Sequence, residues 1–186
     1  MMTGIGGQGI QLAAQVLARA ALVEGREVQL FGNYGGMMRG GSTEATLVFA
    51  DEPILAPPTV SHTWSAIFMH HEYGEPTRQR LRDGSLVLRN STIVGPEFDH
   101  GRYTVVDVPA TDLAGELGNI MTASMVMAGA YVAVTRLVGL ESVVAVLADA
   151  LPTYRAQHLA LNVSALSAGF NAAPGDIASA WAAMSK

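Results

Sequence analysis

The sequence predicts an α/β domain: a Rossmann-like mixed sheet flanked by helices, with a helical C-terminal third. Three observations lead to this prediction. A glycine-rich turn runs directly into an amphipathic helix, short apolar strands separated by turn residues follow it, and only helical patterns remain from residue 110 onward. A chain of 186 residues fits one domain, spanning 1–186, and is long enough to bury a sizeable core.

The glycine-rich turn reads Gly4-Ile5-Gly6-Gly7-Gln8-Gly9, and the apolar stripe of residues 11–23 predicts a buried helix behind it. Such a turn suits phosphate binding, because free N–H groups and the positive end of the helix dipole point the same way. Alternatively, the glycines only let a strand and a helix pack closely, and both interpretations stay open. Few residues precede the turn, so either the native chain starts upstream of Met1 or the first strand is a stub.

The turn departs from the dinucleotide-binding fingerprint, because its spacing is G-x-G-G-x-G and not G-x-G-x-x-G. The next predicted strand, residues 27–31, is followed by Gly32 and Asn33, and no carboxylate that could hold a ribose occurs before Glu44. NAD is therefore disfavoured, while another phosphate-bearing ligand stays open.

Strands at 27–31 and 44–50 are separated by a loop that carries five glycines, Tyr34 and Arg39. No crossover helix fits in this loop, so the two strands are predicted to be antiparallel or to lie on different parts of a mixed sheet. A lone arginine among glycines suits anion capture or docking on a partner. The alternative is a mobile surface loop.

The remaining elements follow in order. Strands are predicted at 65–70, 85–89 and 103–108, and helices at 75–82, 113–117, 119–138, 141–151, 159–170 and 176–184. Thr111 or Asp112 is expected to cap the helix at 113–117, Asn119 to cap the long one, and Gly139 to end it. Asn90 and Ser91 follow a strand at its C-terminal end, where open α/β sheets place ligand contacts.

Composition indicates a subunit of a larger assembly. Charged residues make up 15% of the chain, against about a quarter in a typical globular protein, so partners are expected to cover part of the surface. A net charge of −5 without a basic cluster argues against nucleic acid, and no apolar segment reaches the ~20 residues of a membrane span. Cysteine is absent, His70-His71 is not expected to bind metal, and a cytoplasmic location is the default expectation because no secretory signal is visible.

Several short sequence motifs, taken in order along the chain, resemble those of one protein family. They are Gly4-Ile5-Gly6-Gly7-Gln8-Gly9, Tyr34-Gly35-Gly36-Met37-Met38-Arg39-Gly40-Gly41 and Asp51-Glu52-Pro53-Ile54, followed by 83–87, Asn90-Ser91, Asn119, Gly129-Ala130, Asn162 and Gly169. This set resembles the gamma subunit of 2-oxoacid:ferredoxin oxidoreductases over nearly the whole chain. The second string looks closest to the 2-oxoglutarate branch, with pyruvate, 2-oxoisovalerate and arylglyoxylate relatives also compatible, although Met37 and Met38 replace the family's more usual proline or acidic residue.

The resemblance implies a non-catalytic subunit of an enzyme that converts a 2-oxoacid and coenzyme A to acyl-CoA and carbon dioxide. Alpha and beta subunits would hold thiamine diphosphate and magnesium, and iron–sulfur clusters on a further subunit would pass electrons to ferredoxin or another acceptor. This chain would hold no cofactor alone and would contribute coenzyme A binding and assembly to the hetero-oligomer. The residues expected at the coenzyme A site are Gly4, Gly6, Gly7, Gln8, Gly9, Tyr34, Arg39, Gly40, Gly41, Asn90 and Ser91.

Two alternatives remain beside this reading. One is a purely structural bridge in the same kind of complex, without ligand contact. The other is a free-standing nucleotide-binding domain, which is the weaker alternative because the sequence offers no paired carboxylates, no poised Ser/His/Asp set and no cysteine nucleophile.

Overall fold

The computed structural model describes residues 1–36, 40–57, 59–151 and 153–181. Their strands form one six-stranded sheet of order β2-β3-β1-β4-β5-β6. The strands are β1 (Met2–Ile5), β2 (Glu27–Tyr34), β3 (Ser42–Ala50), β4 (Thr63–Phe68), β5 (Leu81–Asn90) and β6 (Thr104–Val108). Only β3 runs against the others in this sheet, pairing antiparallel with both β1 and β2. The predicted mixed sheet and the antiparallel pairing of β2 with β3 are confirmed, and β1 has only four residues.

Six helices flank the sheet within the described residues. They are α1 (Ile10–Val23), α2 (Glu75–Arg78), α3 (Ala110–Glu116), α4 (Ala123–Thr135), α5 (Leu140–Ala150) and α6 (Leu159–Ala172). Alternating residues of β4 point to opposite faces, so Ile67 joins the main core with α1 and α4, whereas Phe68 joins a smaller cluster with Phe98 and Tyr103. The helical C-terminal third is confirmed.

Helix α4 is the centre of the main core, and all 13 of its residues are buried. It lies against α6 at unusually short range, because a Cβ at Gly129 would come within 1.9 Å of the Leu166 carbonyl oxygen and one at Gly169 within 1.8 Å of the Val126 carbonyl oxygen. Glycine at both positions therefore lets the two backbones touch.

The strand order places a topological switch point between β1 and β4. From β1 the chain passes through α1 towards β2 at one edge, and from β4 it passes through α2 towards β5 and β6 at the other edge. Because β1 and β4 are parallel neighbours, their C-terminal ends at Ile5 and Phe68 lie side by side with the connections leading away in opposite directions. Open α/β sheets bind ligands in the crevice that this divergence leaves.

Several element boundaries differ from the prediction. The helix predicted at 75–82 ends at Arg78, because Leu81 is drawn into β5 and buried. The helix predicted at 113–117 starts at Ala110 without a side-chain cap. Neither Thr111 nor Asp112 is the cap, because both lie inside the first turn of α3 and Pro109 takes the N-cap position. The Thr111 hydroxyl instead accepts a hydrogen bond from Asn90.

The predicted end of the long helix at Gly139 is also wrong. Helix α4 stops at Thr135, where Arg136 takes the left-handed conformation (φ 51°), and Gly139 instead precedes α5 in an extended conformation. Asn119 does act as a cap, but of a 3-10 turn at Ile120–Thr122 that precedes α4. Residues 176–181 form turns where a helix was predicted, and the rest of that prediction, 182–184, lies outside the described residues.

Candidate functional site

The glycine-rich turn joins β1 to α1 at the switch point. Gly7 and Gly9 both have positive φ angles, of 103° and 79°. A Cβ at Gly7 would meet nothing within 4 Å, whereas a Cβ at Gly9 would lie 2.6 Å from the hydroxyl oxygen of Ser124 in α4. Gly7 is therefore open to an approaching molecule, while Gly9 allows the turn to sit against α4.

The N-terminus of α1 is bare. It has no side-chain cap and no acidic residue in its first turn. Among the described residues, the N–H groups of Gly7 and Gly9 have no hydrogen-bond acceptor. Unpaired N–H groups and the positive end of the helix dipole together make this turn suited to an anionic group.

Gln8 braces the turn with its side chain. Its Oε1 accepts a hydrogen bond from the Ile5 N–H (3.0 Å), and its Nε2 donates to the Met69 carbonyl oxygen (3.2 Å) just beyond β4. A Cβ at Gly4 would lie 2.5 Å from Gln8 Oε1 and 3.0 Å from Met69 Cβ, so the glycine leaves room for this brace. Gln8 holds the ends of β1 and β4 together, and its amide is engaged within the protein.

The second glycine-rich loop meets the first. The Gly6 N–H donates to the Gly41 carbonyl oxygen at 2.8 Å, and Gly40 (φ 68°) lies beside Gly6. Tyr34 ends β2 at the same edge of the sheet and is 68% exposed. The structure thus brings together the two loops that the sequence analysis singled out. Arg39, which precedes Gly40 in the second loop, lies outside the described residues.

Asn90 and Ser91 lie farther along the same edge. Asn90 is fully buried, and its amide donates to the Thr111 hydroxyl (2.8 Å) and accepts from the Thr111 N–H (3.2 Å). Strand β4 lies between β1 and β5, so Asn90 is two strands away from the glycine turn. The side chain of Asn90 therefore fastens β5 to α3, and ligand contact by Asn90 and Ser91 stays a prediction.

A polar cavity of about 220 Å³ adjoins the turn. It is lined by Gly7 and Gly9 and, from the helical layer, by Asn119, Ser124, His158 and Asn162 among others. Asn119 uses its Oδ1 as a cap, and Asn162 donates to the His158 carbonyl oxygen at 2.8 Å. The sequence analysis gave none of these four side chains a place at the site, because the packing of α4 and α6, and not local spacing, brings them there.

Two imidazoles follow β4 at this edge of the sheet. The rings of His70 and His71 are stacked, with centroids 4.3 Å apart. Burial and, secondarily, the nearby His71 lower the pKa of His70, and Glu72 opposes them. In the described part of the chain, no group of three or more histidine, cysteine or acidic residues is arranged to hold a metal ion. No helix among the same residues is long and apolar enough to span a bilayer.

Most of the chain is similar in sequence to known oxidoreductase subunits. The sequence profile described as "Pyruvate ferredoxin/flavodoxin oxidoreductase" matches residues 1–172. The chain is 30% identical over 178 residues to 2-oxoglutarate synthase subunit KorC of Methanocaldococcus jannaschii, covering 92% of this chain and 91% of that one. It is 28% identical over 151 residues to pyruvate synthase subunit PorC of Methanothermobacter thermautotrophicus, covering 80% and 82%.

Solved structures show the same architecture. The gamma subunit of a keto/oxoacid ferredoxin oxidoreductase from Geobacter sulfurreducens superimposes with a TM-score of 0.76 at 25% identity, covering 92% of this chain and 95% of that one. The 2-oxoglutarate:ferredoxin oxidoreductase of Magnetococcus marinus, solved with 2-oxoglutarate, coenzyme A and succinyl-CoA, gives a TM-score of 0.83 at 20% identity over 96% of this chain and 32% of its own. The latter likeness is one of fold.

Proposed function

The chain belongs to the pyruvate ferredoxin/flavodoxin oxidoreductase family, as a gamma subunit of the 2-oxoacid:ferredoxin oxidoreductase type, and from this premise we propose that it binds coenzyme A for the assembled enzyme. The assembled enzyme would convert a 2-oxoacid and coenzyme A to acyl-CoA and carbon dioxide, with 2-oxoglutarate as the favoured type of substrate. The chain contains no cysteine, so the proposal assigns iron–sulfur clusters, together with thiamine diphosphate and magnesium, to partner subunits.

The observation that carries the proposal is the open glycine turn at the switch point. Coenzyme A presents a diphosphate, and an anion of that kind suits the unpaired N–H groups of Gly7 and Gly9 at the bare N-terminus of α1. Gly7 has no neighbour where its Cβ would be, so a phosphate can approach its backbone closely. The absence of a carboxylate after β2 accords with a ligand other than NAD.

The surroundings of the turn suit the rest of the ligand. The adjoining cavity offers amide and hydroxyl groups from Asn119, Ser124 and Asn162, which can hydrogen-bond the ribose or the amides of the pantetheine arm. Gly40 and Gly41 of the second loop also contact the turn, and they directly follow Arg39 in the sequence. An arginine there would add a charge-assisted hydrogen bond to a phosphate.

We further propose that this subunit joins alpha, beta and iron–sulfur subunits through apolar parts of its surface. Leu22 and Val23 at the end of α1 are 56% and 67% exposed, and Leu55 is 95% exposed. Exposed apolar side chains combined with a low fraction of charged residues favour coverage by partner chains.

Substitution of Gly7 by alanine in the assembled enzyme tests the coenzyme A proposal. Gly25 provides the matched control, because it has a positive φ of 79° and free space around its Cβ position, yet lies at the far end of α1. Both changes should cost about 1–2 kcal/mol of stability from backbone strain. Only Gly7→Ala should raise the KM for coenzyme A, roughly 10- to 150-fold if one or more hydrogen bonds to a charged group are lost.

Three readouts separate ligand binding from assembly. The KM for the 2-oxoacid and the decarboxylation measured without coenzyme A should be unchanged in Gly7→Ala, and size-exclusion chromatography should show the subunit still in the complex. An unchanged KM for coenzyme A in an intact complex would refute ligand contact at the turn. Loss of the subunit from the complex in Gly7→Ala but not in Gly25→Ala would favour the purely structural bridge.

A further inference from the structure

A second cavity, of about 430 Å³, opens at the opposite ends of β1 and β4 from the glycine turn. It lies between the sheet and the helical layer, and its walls include Leu17 of α1, Phe49 of β3, Tyr131 of α4, Trp64 and Trp181. Small-molecule sites are typically clefts of about 300–1,000 Å³ with mainly apolar walls and a few placed polar groups. The volume and the walls of this cleft match that description.

The polar feature of the cleft is a pair of hydroxyl groups. The oxygens of Ser65 and Tyr131 lie 2.8 Å apart, and both residues line the cleft while being only 3% and 7% exposed. Burial raises the pKa of Tyr131 to about 12, so its hydroxyl stays protonated at neutral pH. The pair has two O–H donors, and the bond between the oxygens uses only one of them.

The second O–H has no acceptor among the described residues. Both residues line the cleft, so the O–H that the pair does not use is available to an acceptor bound there. No Asp, Glu, Lys or Arg side chain is among the residues described as lining the cleft, and the one imidazole, of His62, is exposed and contacts the Ser61 hydroxyl. The other ionisable group on the lining residues is the Met1 amine, which donates to the Ser65 carbonyl oxygen at 2.9 Å and whose pKa burial lowers to about 6, so it is mainly uncharged at neutral pH. A charged ligand would therefore lack a counter-charge in the cleft.

The wall formed by Trp181 is held in place by several contacts. Its indole N–H donates to the Leu137 carbonyl oxygen (2.8 Å), and the guanidinium of Arg26 stacks over its ring at 4.0 Å. One residue earlier, the Ala180 N–H donates to the Thr135 carbonyl oxygen at 2.7 Å. A wall fixed in this way makes the cleft a preformed site, which lowers the entropic cost of binding.

We propose that this cleft binds a neutral, mainly apolar small molecule that carries one hydrogen-bond acceptor, such as the carbonyl oxygen of a ketone or an ester. The acceptor lies on the Ser65–Tyr131 hydroxyl pair, and the apolar part lies against Leu17, Phe49 and Trp181. This site does not depend on the coenzyme A proposal, because it uses none of the residues of the glycine turn.

Fluorine NMR of two small probes tests the proposal on the full chain. The first probe is para-fluoroacetophenone, and the second is para-fluoroethylbenzene, which has a similar shape but no acceptor. The fluorine resonance of the ketone should broaden when native protein is added, and the broadening should saturate. Ser65→Ala combined with Tyr131→Phe should weaken ketone binding roughly 2- to 13-fold, the range for one net hydrogen bond, and leave the hydrocarbon unchanged. Replacing both partners by apolar groups of similar shape should preserve the fold.

Two controls accompany the binding measurements. Tyr103→Phe removes a tyrosine hydroxyl from the opposite face of the sheet and should leave both dissociation constants unchanged. Trp181 lines the cleft, so the ketone should also shift its indole N–H resonance in the native protein, a readout that needs no variant. Absence of saturable broadening, or equal ketone affinity in the folded double variant, would overturn the proposal. Binding that is lost when partner subunits are added would assign the cleft to a subunit interface instead.

Discussion

Alanine at Gly129 is expected to force α4 and α6 apart. The added Cβ would lie 1.9 Å from the Leu166 carbonyl oxygen and 2.8 Å from its carbonyl carbon. Because these are backbone atoms of a packed helix, they cannot rotate aside as a side chain could. The helices would have to separate locally by about 1.5 Å to reach an ordinary contact distance of 3.4 Å.

The expected cost follows from the burial of the crossing. Overpacking a well-packed core typically costs 1–3 kcal/mol. The cost at Gly129 should reach or exceed the upper end of this range, because the backbones of two helices meet there inside the main core. For a domain of this size, each 1 kcal/mol lowers Tm by about 2–4 °C, so Gly129→Ala should lower it by roughly 6–12 °C for a loss of about 3 kcal/mol.

Gly115 of α3 is the matched control, and it should respond with the opposite sign. It is an exposed helical glycine whose Cβ would meet only Ile120 Cγ2, at 3.8 Å. With free space and helical geometry, Gly115→Ala should stabilise the protein by about 0.5–1 kcal/mol. Urea unfolding and thermal melts of the two variants beside the native chain measure both effects.

The opposite changes in stability expected for the two variants test the close crossing of α4 and α6. If Gly129→Ala is neutral or stabilising, the close crossing of α4 and α6 does not exist in solution at the distance described. If both variants are stabilised equally, the effect of alanine arises from helix propensity or in the unfolded chain, and the contact contributes nothing. A functional consequence is also expected, because α4 begins at the polar cavity and Ser124 contacts the glycine turn. Gly129→Ala should therefore also raise the KM for coenzyme A.

Three further predictions concern the site. Gln8→Ala should destabilise the domain by about 1–3 kcal/mol in urea unfolding, since it removes two hydrogen bonds that tie the ends of β1 and β4, and an unchanged midpoint would contradict this role. Arg39→Ala should raise the KM for coenzyme A and leave that for the 2-oxoacid unchanged in steady-state assays; if neither constant changes, the loop is only a linker. Burial lowers the pKa of His70 below 6.5, so the neutral imidazole contributes stability that is present above pH 6.5 and is lost as the pH falls. A histidine NMR titration should show the lowered pKa, and the free energy of unfolding should be smaller at pH 5 than at pH 7.5. The variant His70→Asn should reduce this pH dependence.

Local patterns in the sequence predicted the fold class and the main elements. The glycine turn, the helix behind it and the antiparallel pair β2–β3 all follow from short-range spacing, because loop length alone excluded a crossover helix between the two strands. Boundaries were less predictable where tertiary packing decides them. Leu81 belongs to β5 although it lies in a segment predicted to be helical, and α4 ends at Thr135 with Arg136 in the left-handed conformation, whereas Gly139 was predicted to end this helix.

The site itself was only partly predictable. Glycines are informative because they mark unusual backbone angles or close approaches: Gly7 and Gly9 both have positive φ angles, and Gly9 also lies close to Ser124. The polar residues of the adjoining cavity, such as Ser124 and His158, come from helices far along the chain and have no local signature. Polar side chains near the turn were also ambiguous, since Gln8 and Asn90 form hydrogen bonds inside the protein that no sequence pattern distinguishes from ligand contacts.

The central position of β1 has a consequence for the order in which the protein acquires its shape. This strand is only four residues long, and both of its partners come later in the chain, β3 at Ser42–Ala50 and β4 at Thr63–Phe68. During synthesis the glycine turn is made before either partner, so at that stage it has no sheet to join and Gln8 has no Met69 carbonyl oxygen to bind. The turn thus waits until the chain has been made as far as Met69, and a nascent chain stalled before that point would display the turn without its folded geometry.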